Sequence, residues 1–260
     1  MTKLCLIFVL SFLVLTPAFS QGKIWEADHD AHRHERGVAG FDPFGNPVTT
    51  FTDARDPNPL PDEFIDMPTL EELMLRDQAL RNEVQKADAP IVVPHYLAVD
   101  EEYRAAHPTD WMLRVITIQQ SAAKAFRDEY RIDLVLAGIF TWQSDGTDNS
   151  GILADLTSDF ASVSSGIVSG FTADADFTAG GKAYVYSTDP GTGYNVNYDQ
   201  TVSATIYAIR HEISHNYSLG HDGSNSGKVC MMNYTYAYSV DYWDTAHYNE
   251  LNSHRAWFQP

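Results

Sequence analysis

Apolar residues recur at helical spacing over one long segment in the middle of the chain. After Asp110, a residue type that often caps helices, they return every three or four positions, which predicts a long amphipathic helix. Strand-like segments precede it at residues 92–99 and follow it at residues 132–142, so we expect a parallel strand pair with a right-handed crossover. Pro94 indicates an interruption or an edge position in the first strand. The helical stripe consists of Met112, Val115, Ile116, Ala122, Ala123 and Phe126.

Weaker patterns continue the alternation of helices and strands. Residues 152–163 favour a helix, and residues 171–177 and 182–186 favour two strands. The Gly-rich and Tyr-rich stretch up to residue 198 is interpreted as a loop. The acidic loop at residues 143–151 leaves calcium as an alternative cofactor, but its spacing matches no EF-hand and a solvated loop is the favoured interpretation.

The first residues have the pattern of a targeting segment. Residues 4–15 are apolar and are followed by Ala18-Phe19-Ser20, a small-x-small cleavage pattern. The run is shorter than the roughly 20 residues that span a bilayer. We therefore predict a signal peptide at residues 1–20, a secreted, extracellular protein and no membrane association after cleavage.

The segment after the signal peptide differs in composition from the rest. Residues 21–68 are rich in Pro, Gly, Asp and His, which is typical of a loosely ordered arm. Thr69 and Glu72 have the spacing of a capping box at the start of a predicted helix over residues 70–87. We expect residues 21–89 to form a prosegment or N-terminal arm and residues 90–260 to form a separate domain.

Charge and cysteine content narrow the classes of partner. The chain has 17 Lys and Arg against 35 Asp and Glu, a formal charge of −18, which argues against nucleic acid and anionic membranes as partners. Cys5 belongs to the predicted signal peptide, so Cys230 has no intramolecular disulfide partner in the mature chain. We interpret Cys230 as a small buried residue.

A metal-binding pattern lies on the last strong helix, predicted over residues 201–216. His211 and His215 are four residues apart, so their imidazoles project from one face and can bind one ion, with Glu212 beside them. Zinc suits such a site because it accepts neutral imidazole nitrogens and keeps a fourth position for water. His221 follows ten residues after His211, which requires the helix to end near residue 217 and the chain to turn back.

These residues resemble the metzincin clan of zinc metallopeptidases, whose motif is H-E-x-x-H-x-x-G-x-x-H followed by a Met-turn. The resemblance identifies Met232 as the methionine of that turn and places Tyr234 two residues later, as in astacin-like members. It implies an α+β fold with an α/β upper subdomain built on a twisted mixed sheet, long helices and a small, mostly irregular or helical C-terminal subdomain. It covers residues 95–260, and it is compatible with both adamalysin-like and gametolysin-like proteins.

One position departs from the motif, and two other sets of ligands remain as alternatives. The glycine of the turn is replaced by Ser218, so either Ser218 adopts a left-handed backbone or Gly220 takes part in the turn. Asp222 could replace His221 as third ligand. His247 and His254 could form a second metal pair, although surface or packing roles are favoured for both.

The expected activity is hydrolysis of peptide bonds in extracellular proteins. Glu212 is the expected general base, acting on a water activated by one catalytic zinc ion, and Tyr234 either stabilises the oxyanion or packs as an ordinary tyrosine. The enzyme is expected to be a zymogen, blocked by an acid or a histidine of the arm or by steric cover. The alternatives are a secreted binding module with a structural zinc and an enzyme that hydrolyses nonpeptide amides.

Overall fold

The structure is a computed structural model that describes residues 38–59, 61, 62, 69, 72 and 90–260. The predicted signal peptide and nearly all of the helix predicted at residues 70–87 lie outside the described residues. The capping box is present, because the Thr69 amide donates to Glu72 Oε2 at 2.7 Å and the Glu72 amide donates to Thr69 Oγ1 at 3.2 Å.

The described residues contain seven strands, which form one sheet in the order β1-β2-β6-β7-β5-β3-β4. The four strands β4, β3, β5 and β7 run parallel, and β6, β2 and β1 are added antiparallel at one side. The strands are β1 (Val38–Phe41), β2 (Pro47–Thr50), β3 (Ile91–Val99), β4 (Ile132–Thr141), β5 (Gly166–Thr172), β6 (Gly181–Tyr186) and β7 (Thr192–Tyr198).

Helices cover both faces of this sheet. On one face α2 supplies Gln119, which donates to the Leu134 carbonyl of β4, and α4 supplies Asn216, which donates to the Tyr194 carbonyl of β7. Helix α3 packs Leu156 against the opposite face at Gly170. None of the helices in the described part of the chain is long and apolar enough to cross a membrane. The helices are α1 (Glu101–Ala106), α2 (Trp111–Tyr130), α3 (Asn149–Asp159), α4 (Val202–Asn216) and α5 (Thr245–His254).

The predicted α+β class with a twisted mixed sheet is confirmed. The predicted parallel pair is β3 and β4, and the long helix between them is α2. Pro94 pairs with Val135 of β4 and lies one residue before the pairing of β3 with β5 begins at His95. The residue without an N–H donor is therefore placed where the second ladder has not yet started.

Three predictions about other elements were wrong. The strand predicted at residues 171–177 is β5, which ends at Thr172 and is buried along its whole length, so it lacks the alternation that marks a half-exposed strand. The predicted loop up to residue 198 contains β7, whose polar Asn195 and Asn197 are buried and hydrogen-bonded to each other. Part of the arm is ordered as β1 and β2.

The helix predicted at residues 152–163 begins earlier than expected, at Asn149. The cause is Asp148, whose side chain accepts hydrogen bonds from the amides of Ser150 and Gly151. A local cap therefore moves the start of α3 into the predicted acidic loop.

Candidate metal centre

Helix α4 presents two histidines to the same point in space. Thr201 caps the helix, its side chain accepting from the Ala204 amide, and the helix continues to Asn216 as predicted. His211 and His215 are one turn apart and buried, with ring centroids 4.7 Å apart. The Nε2 atom of His221 lies 2.8 Å from that of His211 and 3.0 Å from that of His215.

The chain turns back after α4 at Ser218, which has a left-handed backbone with φ of 82°. The Leu219 amide donates to the Ser214 carbonyl and the Ser218 amide donates to the His215 carbonyl, which is the Schellman arrangement that ends a helix. Gly220 does not have positive φ. The departure from the motif glycine is therefore accommodated at Ser218 itself, and the turn delivers His221 to the two helical histidines.

Replacing Ser218 with glycine is expected to raise the free energy of unfolding by up to about 1 kcal/mol, because a left-handed backbone is unfavourable for a residue with Cβ. The measurement is urea unfolding, with Ser187→Gly as a control at an exposed loop position without positive φ. A Ser218→Gly midpoint at or below that of the parent would show that the turn carries no backbone strain.

Backbone acceptors fix the orientation of the two helical imidazoles. His211 Nδ1 donates to the Met231 carbonyl at 2.8 Å, and His215 Nδ1 donates to the Leu219 carbonyl at 2.6 Å. Each Nε2 therefore carries a lone pair and faces another imidazole nitrogen at close range. A cation between them satisfies all of these lone pairs, so the residues fit a bound metal ion.

Burial also favours the metal-binding form of the site. It lowers the pKa of His215, and it lowers the pKa of His221 to about 3 against the opposing effect of Asp53. Both imidazoles are consequently neutral near neutral pH, and neutral imidazole is the form that binds a metal ion.

The predicted Met-turn lies directly below the three histidines. Met232 is completely buried, and its carbonyl accepts from the Asp222 amide at 2.9 Å. Its neighbour Met231 provides the carbonyl that orients His211. The ring of Tyr234 packs against His221, with centroids 4.1 Å apart. Both residues singled out from the sequence are thus at the site, although Tyr234 contacts an imidazole ring through its own ring.

Asp53 of the N-terminal arm enters the site and completes a group of four possible ligands. Its carboxylate oxygens lie 2.9 Å from His221 Nε2, 3.4 Å from His211 Nε2 and 3.5 Å from His215 Nε2. Burial opposes ionisation of Asp53, but His221 and His211 outweigh it and hold the pKa of this carboxyl well below its usual range. Sequence reasoning expected an acid or a histidine from the arm without identifying Asp53.

Glu212 is fully buried beside this group. Burial, and then the Asp53 carboxylate, raise the pKa of Glu212 well above its usual range, and Lys182 acts in the opposite direction. A side chain at Gly181 would collide with the Glu212 carboxylate, so the glycine that begins β6 allows the sheet edge to approach the glutamate closely.

The alternative ligands named from the sequence are not brought to this site. His247 and His254 do not meet as a pair, because His247 Nδ1 lies 3.3 Å from Cys230 Sγ while His254 Nδ1 lies 3.1 Å from the Tyr217 carbonyl. Asp222 also points away from the three histidines, towards His247.

Comparison with known proteins agrees with this geometry. A reprolysin-type model described as metallo-peptidase family M12 matches residues 90–246. No curated protein matches the chain. Two solved structures are similar to it, and the chain spans about half of their lengths or less. A chaperone-substrate complex has a TM-score of 0.47 and 13% identity over 64% of this chain and 35% of that chain. Metalloproteinase-II from Bacteroides fragilis has a TM-score of 0.46 and 12% identity over 64% of this chain and 53% of that chain. The family model covers more than half of the sequence, and the chain therefore belongs to metallo-peptidase family M12.

Proposed function

We propose that this chain is a secreted zinc-dependent endopeptidase in which Glu212 is the general base and the N-terminal arm blocks the site before activation. The observation that carries the proposal is the convergence of three imidazole nitrogens beside a buried carboxylate. A structural zinc site requires the imidazoles and does not require the glutamate, whereas a hydrolase requires both. Family membership supports protein or peptide substrates.

The residues of the site divide the chemical work. His211, His215 and His221 would hold a zinc ion, which would supply the Lewis acidity that lowers the pKa of water towards ~7. Glu212 would accept the proton of the attacking water and pass it to the leaving amine nitrogen. Tyr234 beside His221 is proposed to stabilise the developing oxyanion through its hydroxyl group.

The edge strand β6 is the proposed binding surface for an extended peptide. Without the arm, β6 would have a neighbour on one side only, β7. In this structure β2 occupies the other side, with Thr49 opposite Val185 and Thr50 opposite Tyr184. The arm thus pairs with β6 as a bound peptide would, which supports strand addition as the mode of substrate binding.

The same pairing suggests how the arm maintains latency. After β2, Asp53 forms a bridge with Gly181, its amide donating to the Gly181 carbonyl at 3.1 Å, and this directs its carboxylate to the three histidines. Phe51 stacks on His215 with centroids 5.1 Å apart and contacts His221 edge-on at 4.4 Å. The arm therefore covers the imidazoles with an aromatic ring and supplies an anion to the position between them.

The test of the proposed function is digestion of a mixed peptide library by chain from which the arm block has been released. Chelation is expected to remove hydrolysis and added zinc to restore it, because the histidines are arranged to hold the ion that activates water. The measurement is mass spectrometry of the peptides alongside zinc content per chain. Full hydrolysis by metal-free protein would contradict the proposal.

A further inference from the structure

A second group of metal-ligand side chains lies behind the Met-turn, separate from the three histidines. It consists of Asp222, Cys230, Asp244 and His247, and each offers one ligand atom within 4.8 Å of the others. We propose that this group, here called the rear cluster, binds a second divalent ion, zinc, in a structural role. Nothing in the proposed peptidase reaction requires this site, so the proposal stands or fails independently of that function.

The spacing of the ligand atoms fits one tetrahedral ion. His247 Nδ1 lies 3.3 Å from Cys230 Sγ, 3.5 Å from Asp222 Oδ2 and 3.4 Å from Asp244 Oδ1. A tetrahedral zinc with bonds of roughly 2.0 to 2.3 Å has edges of roughly 3.3 to 3.8 Å between its ligands. The three measured edges fall within this range.

The buried groups of the rear cluster lack partners that an ion would provide. Asp222 is 8% exposed, and its Oδ2 atom has no hydrogen-bond partner among the described residues. Asp244 Oδ2 is in the same condition. Burying an unpaired carboxylate oxygen is costly, and a cation at the centre of the cluster would satisfy both atoms.

The charges of the cluster balance when a divalent ion is present. Lys228, which is largely on the solvent side with a side chain 45% exposed, bonds Asp222 Oδ1 at 2.6 Å and leaves Oδ2 facing inwards. Two carboxylates, one thiolate, Lys228 and a divalent ion sum to zero. Without the ion, Lys228 alone faces two carboxylates and a charge of −1 remains.

The sulfur of Cys230 has the surroundings of a metal-bound thiolate. It accepts from the Asp244 amide at 3.2 Å and from the Met232 amide at 3.4 Å, and hydrogen bonds of this kind favour the charged form of an acceptor. A nitrogen and a sulfur ligand argue for zinc and against calcium or magnesium, which prefer oxygen. This assignment replaces the interpretation of Cys230 as an inert buried residue.

The ion would tie together three segments that position the catalytic histidines. Asp222 follows His221, and Cys230 precedes Met231, whose carbonyl orients His211. Asp244 caps α5, accepting from the His247 amide at 2.9 Å. Loss of the second ion would therefore loosen the positions of two of the three histidines without removing any of them.

Cobalt titration of the metal-free full-length chain tests the proposal, because only the rear cluster contains a thiolate ligand. We expect two Co²⁺ ions per chain and a thiolate-to-cobalt charge-transfer band in the near ultraviolet. Cys230→Ala is expected to bind one ion and to show no band. His247→Gln is expected to weaken the second site at least about 10-fold.

Two matched controls accompany these variants. Cys5→Ser and His254→Gln remove a second cysteine and a second histidine of α5 that lie outside the rear cluster, and both are expected to retain two ions and the band. Should Cys230→Ala fail to fold, the stoichiometry and spectrum of the parent and of His247→Gln still decide. A parent that binds a single ion, or two ions without the band, would overturn the proposal and leave the rear cluster as a Lys228 ion-pair network, as would a band that persists in Cys230→Ala.

Discussion

Replacing Glu212 with alanine is expected to reduce peptide hydrolysis at least about 100-fold while zinc remains bound. Glu212 lies beside the group formed by the three histidines and Asp53 and is not itself among the four possible ligands, so its removal deletes the proton acceptor and leaves the metal ligands in place. A structural zinc site would behave differently, because the glutamate would then have no part in any reaction.

The informative comparison is His221→Ala, measured beside Glu212→Ala and the parent, all in chain released from the arm block. His221 Nε2 contacts both helical histidines, so its loss is expected to lower zinc content and the thermal midpoint together with activity. The measurements are zinc per chain, thermal unfolding and hydrolysis of the peptide library. Undiminished hydrolysis in Glu212→Ala would remove the proposed mechanism and leave a binding module with a structural zinc in its place.

The catalytic group could be predicted from the sequence because its geometry is local. Two histidines four residues apart on a helix must share a face, and the third follows within six residues of the second, so the chain needs only one turn to deliver it. Even the departure at Ser218 was readable, because the residue that replaces a turn glycine must adopt the same backbone. The long helix α2 was predictable for the same local reason.

Contacts between distant segments could not be predicted in this way. Asp53 reaches the histidines only because β2 pairs with β6, and no pattern in an arm with several acidic residues distinguishes it. The rear cluster likewise combines Asp222, Cys230 and His247 from three segments that meet only in the folded chain. Strand β7 was missed because buried asparagines that bond one another look like loop residues in sequence.

The arm is held to the rest of the chain by contacts beyond Asp53, and these determine what its mutation should do. Arg55 donates to the carbonyls of Phe177 and Ala179 and lies over the Tyr198 ring at 3.3 Å. Asp62 pairs with Arg114 at 2.6 Å and accepts from the Val202 amide at the start of α4. Removing the Asp53 carboxylate should thus unblock the metal position while the arm stays attached.

Replacing Asp53 with alanine is expected to raise the peptidase activity of the full-length chain at least about 10-fold, since an interaction with a charged group is worth about 1.5 to 3 kcal/mol. The change removes the anion that lies between the imidazoles and leaves β2 paired with β6. Activity should therefore remain below that of a chain starting near residue 90, in which the strand is also removed. The measurement is the rate of peptide cleavage by equal amounts of zinc-loaded protein.

The matched control is Asp56→Ala, which removes an acid of the same arm that lies outside the metal group and keeps the backbone bond of its amide to Gln200. Asp56→Ala should stay as latent as the parent, because loosening the arm by loss of a charge is not the cause of release. Equal activation by both variants would assign latency to general cover by the arm instead of ligation by Asp53. If the parent, Asp53→Ala and the chain starting near residue 90 all cleave peptides equally well, the arm does not control the site at all.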